Sequence, residues 1–212
     1  MADWVTISSL ATAGGTLVLA VATFSSVRSG NRTARAAERS LLIGLRPVLM
    51  PSRLQDPPEK VPFIDGHWIK LDGGHAAMEV LDGAIYFAMA LRNAGSGIAV
   101  LHGWSFHPDR LVGDEGSWHA APDEFRHLTR DIYVAAGDLG YWQGSLRDPD
   151  EPVFAAAREA AEAGRAVTVD LLYGDHEGGQ RTISRFTLLP LDGGGRLAAV
   201  GRHWNLDRAD PR

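Results

Sequence analysis

Between Trp4 and Val27 lie 24 consecutive residues without Asp, Glu, Lys or Arg, and two arginines, Arg28 and Arg32, follow at once. No other feature limits the fold of this chain as strongly. As a helix the run is about 36 Å long at 1.5 Å per residue, enough to cross a hydrocarbon core of about 30 Å. Fourteen of its residues are apolar, and the rest are four Thr, four Ser and two Gly. Ser and Thr can return their hydroxyls to carbonyls of their own helix, which makes them tolerable in lipid. A secretory signal needs a basic amino-terminal region, and Met1-Ala2-Asp3 offers an acid instead. A core helix of a soluble protein needs a polar face, and this run has no charged one. Residues 1–27 therefore read as an uncleaved transmembrane anchor.

Charge sets the expected orientation. Arg28, Arg32, Arg35 and Arg39 crowd the carboxyl side of the run against Glu38, and Asp3 lies on its amino side. Positive-inside bias predicts an outside amino terminus and a cytoplasmic carboxyl-terminal domain, single-pass in the cell membrane. Zero cysteines accord with a reducing compartment. The overall charge of −5 hides an asymmetry: five Arg against Asp3 and Glu38 leave residues 1–46 at +3, so residues 47–212 carry −8. An acidic domain with two lysines, Lys60 and Lys70, lacks the basic stripe that nucleic acid requires.

Residues 28–46 read as a basic amphipathic connector helix. At 100° per residue its four arginines fall within about 60° of one another, with Ala34, Ala37, Leu41 and Leu45 opposite. Arg28, Arg32, Arg35 and Arg39 are thus the candidate contacts to anionic headgroups of the lipid bilayer. Gly30-Asn31 is expected to bend the chain, and Pro47 to end the helix. Within the span, Ser8, Thr12, Gly15 and Thr16 keep one face small, which predicts a parallel homodimer through close helix contact.

Residues 47–207 read as one domain in strand period, followed by a tail at 208–212. "RPVLMPS" opens it as a short edge strand, and "LQDPPEKVPFIDGHW", with three prolines, reads as a loop. In "AIYFAMALRN", Ile85, Phe87, Met89 and Leu91 alternate with Tyr86, Ala88 and Ala90, the pattern of a half-buried strand. Asn93, Gly95 and Gly97 are expected to form a tight hairpin turn, the glycines supplying positive φ, with Ile98, Val100, Trp104 and Phe106 sharing a face on the returning strand. Further strands are expected near 130–135, from Val167, from Thr182 and from Leu197, joined late in the chain by hairpin turns. One helix interrupts them, with Asp150 as N-cap and Gly164 just past its end. The predicted class is mainly β: an antiparallel immunoglobulin-like β-sandwich with one inserted helix, preceded by the transmembrane helix and the connector helix.

An uncharged anchor, a basic connector, an Arg46-Pro47 strand and a hairpin built on Asn93, Gly95, Gly97 and Ala99 resemble a group of bacterial membrane-anchored β-sandwich proteins of unknown function. The resemblance implies a fold and a location, and no activity.

The chain carries no Walker loop, no H-E-x-x-H and no G-x-S-x-G, so no catalytic residue, metal site or cofactor is assigned. Its eight histidines (67, 75, 102, 107, 119, 127, 176, 203) are scattered, and His102 and His107 are expected on opposite faces of one strand. The stretch 138–151 is the most distinctive remaining one. Tyr141, Trp142, Arg147, Asp148 and Asp150 are its candidate ligand-binding residues, by stacking and charge. Asp148, Asp150 and Glu151 could instead offer oxygens to calcium, or Tyr141 and Trp142 could plug the sandwich end while the acids cap the next helix. The leading functional expectation is a membrane-tethered, non-enzymatic interaction module with a protein partner. The alternative is a small-molecule-binding or hydrolytic domain using residues 138–151.

Overall fold

A computed structural model describes residues 3–208; Met1, Ala2 and residues 209–212 of the expected tail lie outside the described residues. Its first element, α1 (Trp4–Gly44), is one helix of 41 residues, about 61 Å long. The expected anchor and connector are therefore a single element. The expected bend at Gly30-Asn31 is absent, because the helical hydrogen-bond ladder continues through both residues. The hydroxyls of Thr12, Thr16, Thr23 and Thr33 each donate to the carbonyl four residues earlier, at 2.8–3.1 Å, as expected for polar side chains on an apolar helix. By length and composition α1 can cross a membrane: within Ile7–Leu42 an 18-residue apolar window has a mean hydropathy of 1.7, with 0 % of that window buried.

The chain divides into two compact units, Met1–Gly44 and Leu45–Arg212. In the second, the elements in chain order are β1 (Leu49–Pro51), β2 (Glu59–Pro62), β3 (Trp68–Leu71), β4 (His75–Leu81), β5 (Ala84–Asn93), β6 (Ala99–His107), β7 (Arg126–Val134), β8 (Leu139–Leu146), α2 (Phe154–Glu162), β9 (Val167–Gly174), β10 (Thr182–Pro190) and β11 (Arg196–Asn205). Every ladder is antiparallel. Nine strands form one sheet, in the order β8-β5-β4-β11-β10-β9-β6-β7 with β1 also paired to β5. The remaining two, β2 and β3, form a separate hairpin.

The sheet curls until strands from its two ends face one another. Phe87 on β5 and Phe106 on β6 have ring centroids 4.8 Å apart, and Trp104 on β6 and Trp142 on β8 lie 5.4 Å apart. The concave side encloses the main core, including Ile85, Phe87, Met89 and Leu91 of β5, and Phe154, Ala157 and Ala160 of α2 join it. The other face of β5 is not solvated. Tyr86, Ala88 and Ala90 are buried with Val61, Phe63, Ile69 and Leu71 of the β2–β3 hairpin, so β5 lies between two cores. That hairpin occupies the stretch expected to be a loop.

Other local expectations are corrected by the ladder. β5 and β6 do not pair, so Asn93, Gly95 and Gly97 shape a turn between distant strands and not a hairpin. Neither glycine has positive φ. Both are needed for close backbone approach: a Cβ on Gly95 would stand 2.3 Å from the Arg46 carbonyl oxygen, and one on Gly97 would stand 1.8 Å from that of Leu45. Asn93 is fully buried and ties this turn together. Its Oδ1 accepts from the amides of Val48 and Gly95, and its Nδ2 donates to the carbonyls of Gly97 and Val134, at 2.6–3.1 Å. A bulge between Leu101 and Gly103 shifts the parity of β6. Leu101, Trp104 and Phe106 therefore face the core together, in place of the expected set with Ile98 and Val100.

The inserted helix starts three residues later than an Asp150 cap requires. Val153 is its N-cap, without a side-chain bond, and the Asp150 amide instead donates to Asp148 Oδ1 at 3.0 Å. Its end is as expected: Gly164 takes φ +61°, and the amides of Gly164 and Arg165 close on the carbonyls of Ala161 and Ala160.

Candidate functional site

The two end strands of the curled sheet, β7 and β8, run side by side with no ladder between them. A Cβ on Gly140 would meet Val134 Cγ2 at 2.7 Å, so the strands touch at one end of this seam. Side chains, not backbone, close its middle. Arg130 stacks over the Tyr141 ring at 5.7 Å and donates to the Tyr141 hydroxyl at 2.7 Å and to the Pro62 carbonyl at 3.0 Å, and its Nε donates to the Gln143 side-chain oxygen at 3.2 Å.

Further along, the seam opens into a cleft of about 200 Å³. Trp104 and Gln143, both buried, lie at its base; Arg126, Thr129, Ser145 and Arg147 line its walls, and Phe63 and Ile64 line its rim. One guanidinium comes from the start of β7 and the other from just past the end of β8, and each is held in place. Arg126 lies over Trp104, 5.5 Å from the ring centroid, and pairs with Glu151. Arg147 lies over Tyr86 at 5.3 Å, reaches Ser145 Oγ at 3.2 Å and pairs with Asp65 at 2.9 Å. Asp65 in turn accepts from the Tyr86 hydroxyl and from the His67 amide. The Tyr86 hydroxyl first, then the His67 amide and Arg147, hold the Asp65 carboxyl down at about 2, and the same carboxylate pushes the Tyr86 phenol up. A carboxyl lowered in the folded state stabilises it above its ordinary pKa, and that contribution disappears as pH falls toward 2.

The five candidate residues of 138–151 do not converge. Most of that stretch is strand β8, and Trp142 is fully buried against Phe87 and Trp104 in the main core. Tyr141 is taken up by Arg130, while Asp148 and Asp150 form an exposed turn. Glu151 turns to Arg126, which separates it from the other two acids of the calcium reading. Arg147 alone of the five lines the cleft. Sequence reasoning places Trp104 only in the core and passes over Arg126 and Asp65, which no local motif marks: the curl of the sheet brings positions 104, 126 and 147 together, and the β2–β3 hairpin adds position 65. Comparison with known proteins found no family model, no curated protein and no solved structure that matches this chain.

Proposed function

We propose that the chain is a membrane-tethered, non-enzymatic interaction module, anchored by α1 and presenting its β unit to a protein partner. The supporting observation is the exposure of α1. Ile7, Leu10, Leu17, Val18, Leu19, Val21, Phe24 and Val27 all stand exposed around it. Burying each in lipid recovers roughly 1.5–3 kcal/mol. In this reading the arginines from Arg28 onward keep the β unit in the cytoplasm. The curled sheet is read as an immunoglobulin-like sandwich in the broad sense, supported by the opposition of Phe87 and Phe106, and as a relative of bacterial membrane-anchored β-sandwich proteins. The full chain should stay in the membrane pellet after alkaline extraction, and a reporter fused after Arg212 should be active in the cytoplasm. Release by alkali would end the anchor reading, and periplasmic or extracellular reporter activity would reverse the orientation.

The same reading includes a parallel homodimer through Ser8, Thr12, Gly15 and Thr16. The Thr12 and Thr16 hydroxyls are engaged by their own helix, so contact would rest on close packing at Gly15 more than on interhelical hydrogen bonds. In a membrane two-hybrid assay, Thr12→Ile with Gly15→Ile should abolish the wild-type signal. An equal signal from both forms would leave the span monomeric.

A further inference from the structure

We infer that the cleft in the β7–β8 seam binds a small organic carboxylate. This does not depend on the anchor reading. One guanidinium from the start of β7 and one from just past the end of β8 border one concavity, in a unit (Leu45–Arg212) whose net charge is −7. Each offers five N–H donors. Arg126 commits one to Glu151, and Arg147 commits two, to Asp65 and Ser145; the remaining donors have no acceptor among the described residues. The acid partners fix the arginines in place, and a fork held in place loses little entropy when it takes a two-oxygen anion. Arg130 adds a third cation behind Gln143, whose contacts are to neutral groups.

Size and lining narrow the ligand class. A volume of about 200 Å³ holds the equivalent of about seven waters, room to enclose a compact ligand and too little to enclose a nucleotide or an extended peptide. The Thr129 and Ser145 hydroxyls stand on the same walls, and Phe63, Ile64 and Leu128 supply apolar surface. An oxyanion attached to a compact apolar body satisfies both halves; inorganic phosphate satisfies only the first.

The test uses the full chain in lipid nanodiscs, titrated calorimetrically with sodium benzoate, sodium acetate and inorganic phosphate against sodium chloride at equal ionic strength. Benzoate should bind saturably and more tightly than acetate or phosphate. Arg147→Gln should weaken it at least tenfold. Ile64→Glu tests the same point without touching the core, because Ile64 is 82 % exposed and lines the rim: an added carboxylate there should repel benzoate to a similar degree while leaving the melting temperature unchanged. No saturable heat above chloride overturns the site. Unaltered benzoate affinity in Ile64→Glu overturns its location, and phosphate binding as tightly as benzoate overturns the organic ligand class.

Discussion

Asp170→Ala is expected to destabilise the β unit by about 3–5 kcal/mol, a fall in melting temperature of roughly 6–20 °C for a unit of this size. Asp170 and Arg185 sit side by side on β9 and β10, both buried, and are joined by two bonds, Nε to Oδ1 at 2.7 Å and Nη2 to Oδ2 at 2.5 Å. The guanidinium also lies over Trp204 at 4.9 Å and donates to the carbonyls of Glu115 and Gly116 at 3.2 Å, which fastens the long β6–β7 connection onto the outside of the sheet. Removing the carboxylate leaves a buried cation with two carbonyls in place of a counter-charge. Removing both members together, as Asp170→Leu with Arg185→Met, should recover most of the loss, since no orphaned charge remains. Thermal unfolding of the two variants decides the matter. A single-variant loss below about 1 kcal/mol would mean that water reaches the pair.

The second large effect belongs to Gly97. Gly97→Ala should lower stability by at least about 3 kcal/mol, because the added carbon would lie 1.8 Å from the Leu45 oxygen and 2.4 Å from its carbonyl carbon. Backbone opposes backbone there, and no rotamer change relieves it. The contrast with a conformational requirement is measurable. A left-handed position accepts Asn far better than Val, whereas a position closed by space rejects Ala, Asn and Val alike. Chemical denaturation of the three variants should therefore give similar large losses; recovery with Asn would restore the positive-φ account.

Neither site was legible in the sequence: Gly97 was expected to supply positive φ, and no local pattern pairs Asp170 with Arg185. Alternation in β5 correctly named the inward set Ile85, Phe87, Met89 and Leu91. It also implied a solvated far side, and there the rule failed: Ala88 and Ala90 are small because a second layer, the β2–β3 hairpin, packs on them. That hairpin was hidden by Pro57, Pro58 and Pro62, which signal a loop. Pro62 is tolerated because it ends β2, opposite Trp68 at the hairpin's turn. Glycine inside a strand has its own reason in "LGYWQGSL". A Cβ on Gly144 would stand 2.9 Å from the rings of Trp104 and Trp142, so its absence makes room for the core aromatics. The cleft was beyond local reasoning, because its walls become neighbours only through strand order, which depends on the whole chain at once.

The continuity of α1 also has a mechanical consequence. A helix that crosses hydrocarbon up to Val27 and continues unbroken to Gly44 cannot turn to lie along the bilayer plane, because a right-angle turn would break its ladder. Arg39 is then about 18 Å further along the axis than Val27, while the headgroup layer is only about 5–8 Å deep. In the proposed anchor geometry Arg28 and Arg32 would be within reach of phosphates, and Arg35 and Arg39 would stand in water. In that geometry the arginine stripe would be a stalk standing off the bilayer, and a tilt of the span would be carried along one unbroken helix to Gly44.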